Sequence, residues 1–279
     1  MILLDGKTCA ESIRKDLAKQ IKDLDLHPTL HIINVGDDYA SQIYIRNKNN
    51  ACEEVGIQCI IDHFDANAKE DEIAQRIATL NEDDSVDGII VQLPLPGHLN
   101  ADRLINLIAP QKDVDGLTYV NAGKLSHNDP TAIVGCTPLG IMRLLQFYNI
   151  NVEGKRCTIV GRSNIVGKPL ATLMTNANAT VTLCHSKTPY LYKSAENADV
   201  LVVAVGKPNF AGAGLMNDGI IVIDVGINRD ENNKLCGDVD FEEAKKYASY
   251  ITPVPGGVGP MTVAMLLENV VHSAIERKR

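Results

Sequence analysis

The sequence predicts an α/β fold, two α/β units flanking a cleft, and three observations lead there. Apolar runs of strand length alternate with segments of helical periodicity along almost the whole chain. Such alternation gives parallel strands with helices on both faces. A loop-rich stretch at 110–135 interrupts the pattern and leaves one series on each side of it. The 279 residues are 45% hydrophobic and 22% charged, an ordinary composition and enough chain for two cores.

The elements follow in order. Leu30 to Val35 is the first strand, and Ala40 to Val55 is a helix that Gly56 ends. Ile57 to Ile61 is a second strand. Ile73, Ile77 and Leu80 then recur at helical spacing behind the acids Glu70, Asp71 and Glu72, which suit a helix N-terminus. Gly88 to Leu93 is a third strand, closed by Pro94 and Pro96. Beyond the loop-rich stretch, Thr137 reads as an N-cap and Pro138 as the first residue of a helix reaching about Tyr148. Strands are expected at 156–160, 179–184, 200–205 and 220–225. A glycine-proline loop at 253–260 precedes a last helix patterned by Val263, Leu266, Leu267, Val270 and Ala274.

Bulk properties exclude several classes. A net charge of −8 argues against a nucleic-acid partner, which requires a concentrated basic face. The basic cluster Arg277-Lys278-Arg279 follows a helical pattern and suits a helix C-terminus. Seven cysteines are scattered without a C-x-x-C pair, which reads as reduced, mostly buried thiols in the cytoplasm. The start of the chain is too soon charged for a signal peptide, and no uninterrupted apolar run approaches ~18 residues, so no membrane partner is expected. The histidines are dispersed without an H-x-x-x-H pair, and no metal is expected.

The segment Val160-Gly161-Arg162-Ser163-Asn164-Ile165-Val166-Gly167 lies between a strand and a small-residue apolar run. Strand, glycine turn and helix start together make a phosphate cradle: glycine admits the anion, and free helix N–H groups point at it. The spacing departs from G-x-G-x-x-G, with Ser163 and Val166 at the second and third glycine positions. A plain strand–helix turn would read the same way, but the context is that of a Rossmann-like dinucleotide-binding domain with a parallel sheet. NAD sites place an acid about 20 residues on, at the ribose hydroxyls. Here the chain reads Cys184-His185-Ser186-Lys187. Without that acid, Arg162, Ser186 and Lys187 suit a 2′-phosphate, so NADP is the expected cofactor. Gly206 and the Gly226-Ile227-Asn228 turn follow later strand ends, where backbone contacts to a ligand or simple chain reversal both fit.

Three clusters ahead of that segment carry chemistry. Ser41, Tyr44 and Lys48 stand at i, i+3 and i+7, which puts Tyr44 and Lys48 one turn apart on a helix face. A partly desolvated lysine there would exchange protons near neutrality, whereas a surface lysine is the plainer alternative. Gln92 interrupts an apolar strand end, and its amide can hold both a lysine and a ligand or simply satisfy a backbone group. Asp113 and Asp115 lie in a loop, where paired acids are commonly solvated or turn-forming.

Taken with Pro253-Val-Pro-Gly-Gly-Val-Gly-Pro-Met-Thr262, these segments strongly resemble the bifunctional methylenetetrahydrofolate dehydrogenase/cyclohydrolase family. The matches run Ser41 to Lys48, Val91 to Pro96, Lys112 to Gly116, Gly161 to Gly167 and Pro253 to Thr262, in order across almost the whole chain. The resemblance implies NADP-linked oxidation of 5,10-methylenetetrahydrofolate and hydrolysis of the methenyl product to 10-formyltetrahydrofolate. By resemblance, Lys48 would be the acid/base of hydrolysis, Tyr44 would stack on the folate, Gln92 would orient Lys48, and Asp115 would bond the pterin edge. Ser41, Pro255, Gly256 and Gly257 would join the substrate set. Gly161, Arg162, Ser163, Ile165, Ser186, Gly206 and Ile227 would serve the cofactor. It further implies a folate-binding domain at 1–136 to which helix 261–279 returns, an NADP-binding domain at 137–260, a homodimer, and a place in purine biosynthesis. Many members carry a second lysine two positions after the first, where this chain has Asn50.

Overall fold

The computed structural model describes residues 1–278, the side chain of Ala40 excepted; Arg279 of the basic cluster lies outside the described residues. The chain divides into two compact units. One combines Glu11–Cys136 with the chain from Val263 onward, and the other combines Met1–Ala10 with Thr137–Thr262.

Strand β1 (Ile2–Leu3) and helix α1 (Gly6–Asp23) open the chain. The expected alternation follows as β2 (Thr29–Val35), α2 (Tyr39–Val55), β3 (Gln58–Phe64), α3 (Glu70–Glu82) and β4 (Gly88–Val91). These strands form a parallel three-stranded sheet, β3-β2-β4, with Ile32 opposite both Ile61 and Ile90. Every residue of β2 is buried, as a strand covered on both faces requires. Ile73, Ile77 and Leu80 of α3 pack against Ile33 and Val35 of β2 and Ile89 and Val91 of β4. Alternate strand residues thus meet one helix stripe, each buried side chain contributing roughly 1.5–3 kcal/mol. Helix α2 starts where Asp38 accepts the Ser41 N–H at 2.8 Å and stops at Gly56, whose φ of 90° suits glycine.

The sequence reading gave no helix for the α1 segment and missed two short ones later in this series. These are α4 (Ala101–Ile105) and α5 (Tyr119–Ser126), the latter within the stretch expected to be loop. Only Asn121 and Leu125 of α5 are buried, so no apolar period marks it. Helix α6 (Cys136–Phe147) starts one residue before the expected cap. Thr137 lies inside its first turn, and its hydroxyl meets that of Thr262 at 2.9 Å instead of capping.

The second series is β5 (Arg156–Val160), α7 (Gly167–Asn176), β6 (Thr180–Cys184), α8 (Leu191–Ala195), β7 (Val200–Val203) and β8 (Ile221–Asp224). A small antiparallel pair, β9 (Asn228–Arg229) and β10 (Leu235–Cys236), precedes α9 (Phe241–Ala244), β11 (Tyr250–Ile251) and α10 (Val258–Lys278). The large sheet has the order β1-β11-β8-β7-β5-β6 with every pairing parallel. Winding runs from β5 to β6 on one side and resumes at β7 on the other, which places a switch point between β5 and β7.

Two expectations need correcting. The first ten residues do not belong with 11–136: Ile2 and Leu3 are too few to signal a strand, yet they pair with Tyr250 and Ile251 and join the six-stranded unit. Helix α10 begins at Val258, inside the expected 253–260 loop. By length and composition α10 is long and apolar enough to cross a membrane, but 61% of its most apolar window is buried inside the protein. Two of its polar side chains are tied down as well. Asn269 donates to the carbonyls of Val114 and Val134 at 2.9 and 3.1 Å. Arg277 does more than face a helix dipole, because its Nε donates to Asp87 at 2.6 Å and that carboxylate is fully buried. Asp87 also accepts the Thr29 N–H at 2.9 Å. Arg277→Met leaves the buried carboxylate with a single partner and should lower the unfolding free energy by about 2 kcal/mol, the arginine being partly exposed. Urea unfolding measures it, and an unchanged midpoint would refute the role of the pair.

Candidate active site

In the three-stranded unit, α2 presents Tyr44 and Lys48 one turn apart, and Gln92 stands just past the end of β4. Lys48 Nζ donates to Gln92 Oε1 at 3.0 Å. Gln92 is buried, and its Nε2 donates to the Leu93 carbonyl at 2.7 Å. That second bond orients the amide, since its NH2 must face the carbonyl and its oxygen must then face the ammonium. Gln92 N–H donates to Ile33 O at 2.9 Å, which anchors the residue to β2. Tyr44 is 45% exposed, so its ring is available to a planar ligand. Ser41 is different: it is buried, and its hydroxyl donates to Asp38 at 3.0 Å, closing the first turn of α2. Asn50 is exposed.

The two loop acids have separate positions. Asp113 is buried and accepts the N–H groups of Leu117 and Thr118 at 3.1 and 2.8 Å and Asn121 Nδ2 at 2.9 Å. Burial raises its carboxyl above the usual range, while Asn121 and Thr118 pull the other way. Lys112 is buried too, donating to the carbonyls of Leu80, Asn81 and Asp83 at 2.9, 2.8 and 2.7 Å and thereby capping the end of α3. Desolvation lowers its ammonium, opposed by Asp83, Asp84 and Asp87. Between these anchors Asp115 remains partly exposed. It adjoins the Cys136 thiol, which burial first and Asp115 second push well up, with Lys48 acting the other way. Lys48, Asp115 and Cys136 thus share one electrostatic neighbourhood. Cys136 carried no sequence signal for this, because a lone buried cysteine looks like any other core residue.

In the six-stranded unit, Gly161 follows β5 with φ of 127°. A Cβ there would collide with the Ala204 carbonyl oxygen after β7, and one on Gly167 would collide with Gly161 O. Glycine is therefore required for the loops to close up at the switch point. Ser163 Oγ accepts the Val166 N–H at 3.2 Å and sits before α7. Arg162, Ser163, Ile165, Ser186 and Lys187 are exposed, while no acid stands at the end of β6. Ile227 is 49% exposed, and Gly206 lies in the loop after β7.

Sequence reasoning missed what holds those later loops. Asp238 is fully buried and accepts the N–H groups of Val205, Gly206 and Lys207 at 2.6, 2.9 and 2.8 Å, with Asn228 Nδ2 at 2.8 Å. Asp224 accepts the N–H groups of Gly226, Asp238 and Val239 at 3.0, 2.9 and 2.9 Å. The expected Pro255, Gly256 and Gly257 precede α10, and Gly256 O accepts the Gly6 N–H at 2.9 Å. Among the described residues no group of three or more His, Cys, Asp or Glu is placed to hold a metal ion.

This edge fits a dinucleotide with a 2′-phosphate. The cradle at Gly161 is one that a Cβ would fill, α7 offers its N-terminus, and Arg162, Ser186 and Lys187 are exposed. Burial pushes Asp224 up to about 6 from 3.8, with Asp238 adding to the rise against three N–H donors. The folded state then holds this proton more tightly than the unfolded one. Its contribution to stability is full below pH 3.8 and is lost as pH rises through about 6. Asp224→Asn should remove that downward slope, worth up to roughly 3 kcal/mol, from the wild-type profile. Denaturation across this window measures it, and an equal slope in both proteins would refute the assignment.

Comparison with known proteins agrees with this geometry. Residues 4–115 match tetrahydrofolate dehydrogenase/cyclohydrolase, catalytic domain, and residues 135–278 match tetrahydrofolate dehydrogenase/cyclohydrolase, NAD(P)-binding domain. The bifunctional protein FolD of Campylobacter hominis is 50% identical over 280 residues, covering 99% of this chain and 98% of that one. The crystal structure of the bifunctional enzyme FolD, methylenetetrahydrofolate dehydrogenase/cyclohydrolase, from Campylobacter jejuni has a TM-score of 0.97 at 49% identity and covers 99% of both chains. The Trypanosoma brucei methylenetetrahydrofolate dehydrogenase-cyclohydrolase, complexed with NADP cofactor and inhibitor, has a TM-score of 0.95 at 36% identity, covering 100% of this chain and 99% of that one. With both halves matched and half of its residues shared with a full-length relative, this chain belongs to the tetrahydrofolate dehydrogenase/cyclohydrolase family.

Proposed function

We infer that this chain carries out two successive reactions. It oxidises 5,10-methylenetetrahydrofolate with NADP⁺ to 5,10-methenyltetrahydrofolate, then hydrolyses that product to 10-formyltetrahydrofolate. The observation that carries this reading is the 3.0 Å bond from Lys48 Nζ to an amide oxygen whose orientation Leu93 determines. A dehydrogenase alone has no need of a lysine held in this way, so the complete Tyr44, Lys48 and Gln92 set favours both activities.

Each residue has a role in this reading. The Tyr44 ring stacks on the pterin, and the Asp115 carboxylate takes its amino and ring N–H donors. Lys48 moves a proton to or from the water that attacks the methenyl carbon, while Gln92 holds its ammonium in line. Ser41 supports them by closing the first turn of α2, and Pro255, Gly256 and Gly257 complete the substrate set. In the six-stranded unit, Gly161, Ser163, Ile165, Gly206 and Ile227 seat the dinucleotide, with Arg162 and Ser186 at the 2′-phosphate. Bound there, NADP⁺ supplies the hydride acceptor. The contribution of the chain to that step is alignment of the donor carbon and exclusion of water. The reading extends to a cytoplasmic homodimer that supplies one-carbon units to purine biosynthesis; sedimentation at micromolar concentration tests the dimer.

One progress curve that follows NADPH and methenyltetrahydrofolate together tests the pair of activities. NADPH should accumulate with little methenyl intermediate, and NADPH with stoichiometric methenyl product would leave only a dehydrogenase. Lys48→Met should reduce methenyltetrahydrofolate hydrolysis by about 10²-fold or more, the range of general acid/base catalysis. Unchanged hydrolysis in that variant would sink the role of Lys48. Arg162→Ala should raise the KM for NADP⁺ roughly 10-fold, as loss of a charge-assisted hydrogen bond does, with little effect on NAD⁺. Equal effects on both cofactors would remove Arg162 from the 2′-phosphate.

A further inference from the structure

The loops that follow β7 and β8 share one buried carboxylate. Gly206 has φ of 66°, a left-handed turn that brings the N–H groups of Val205, Gly206 and Lys207 to one side. Successive N–H groups held in this way form a concavity for an anion, which in many proteins is a ligand phosphate. Here the anion is internal: Asp238 fills the concavity, with Oδ2 on Val205 and Gly206 and Oδ1 on Lys207. Oδ1 also accepts Asn228 Nδ2 at 2.8 Å, which ties the loop after β7 to the loop after β8. The β9-β10 pair sets Cys236 opposite Asn228 and so brings Asp238, two residues on, to this position. The carbonyls of Gly237 and Asp238 accept the N–H groups of Asn209 and Ala211 at 3.2 and 2.9 Å, pinning the far end of the first loop to the same segment. Gly226 packs directly on the carboxylate, since a Cβ there would collide with Asp238 Oδ1.

A filled concavity repels phosphate, so along this edge the pyrophosphate is left with the Gly161 turn and the N-terminus of α7. The strand order β8-β7-β5-β6 spans about 14 Å at the usual strand spacing. With the 2′-phosphate at Arg162 and Ser186, after β5 and β6, the other half of the dinucleotide lies over β7 and β8. N–H groups turned inward also turn carbonyls outward, because in a trans peptide the two point in opposite directions. The carbonyls of Val205 and Gly206 therefore face away from Asp238. Such acceptors suit the NH2 of a carboxamide and the positive ring of an oxidised nicotinamide.

We propose that Asp238 is a positioning residue for the nicotinamide half of the dinucleotide. By filling the concavity after β7 and holding Asn228, it denies that loop to phosphate and sets the Gly206 and Ile227 loops as one piece against the nicotinamide. Fully buried, it acts through these loops and not on the cofactor itself. The proposal rests on the reading of Arg162 and Ser186 as the 2′-phosphate residues.

Calorimetric titration of the enzyme with NADP⁺ and with 2′,5′-ADP separates this role from a general structural one, because 2′,5′-ADP keeps the 2′-phosphate and lacks the nicotinamide half. Asp238→Asn keeps the size of the side chain but turns an NH2 group toward N–H donors that now meet a carboxylate oxygen. It should weaken NADP⁺ binding about 10-fold or more, the scale of lost hydrogen bonds to a charged group, and leave 2′,5′-ADP binding unchanged. Asn228→Ala removes only the tie between the two loops. It should shift NADP⁺ binding in the same direction by less, again without effect on 2′,5′-ADP, and it carries the test should Asp238→Asn fail to fold. Arg162→Ala should weaken both ligands. Equal weakening of the two ligands in either loop variant, or undiminished NADP⁺ binding in both, would overturn the role of Asp238. Undiminished 2′,5′-ADP binding in Arg162→Ala would instead overturn the placing of the 2′-phosphate, and with it the half of the dinucleotide that Asp238 serves.

Discussion

Parallel strands deliver their loops to one edge of a sheet with backbone N–H groups that no neighbouring strand satisfies, and in this protein buried carboxylates take up that demand. Asp113 accepts two such groups beside the three-stranded sheet. Asp238 accepts three after β7, and Asp224 accepts one after β8 and two more from Asp238 and Val239 after β10. An unpaired buried N–H costs about 1–3 kcal/mol, so without these acids the loops would have to open to water. The acids themselves are desolvated, and the raised carboxyls of Asp113 and Asp224 record it. Rigid loops are what remain, and the exposed side chains they carry can be placed accurately.

That division of labour explains why neighbouring residues of one type behave differently. Asp113 and Asp115 stand two apart in a single motif, but one is used up by the backbone and the other is left partly exposed next to Lys48 and Cys136. Ser41 and Tyr44 share a helix, yet the serine closes its first turn and the tyrosine faces outward. A ligand needs both kinds of residue, since a carboxylate or ring that could swing freely would lose entropy on every binding event.

Periodicity and punctuation made most of the frame legible. The strands around Ile32 and Ile159, the stripe of Ile73, Ile77 and Leu80, and the stop at Gly56 all follow from local rules. Elements held by other means escaped: β1 and β11 have two residues each, and α5 buries too little to show a period. At the site, the Tyr44 and Lys48 spacing and the polar break at Gln92 were visible because they violate an apolar pattern. The roles of Lys112, Asp224, Asp238 and Asn269 were not, because their partners are backbone atoms far away in sequence, and no local pattern encodes a carbonyl.

The pairing of β1 with β11 has a consequence for biosynthesis. Leu3 leaves the ribosome long before its partner Ile251 has been made. The three-stranded unit waits in the same way for α10 to bring Asn269 to Val114 and Arg277 to Asp87. Neither unit can therefore be completed from its early residues alone. Such long-range closure folds slowly, and in the interval it leaves β1 without its partner strand and the Asp87 carboxylate without Arg277.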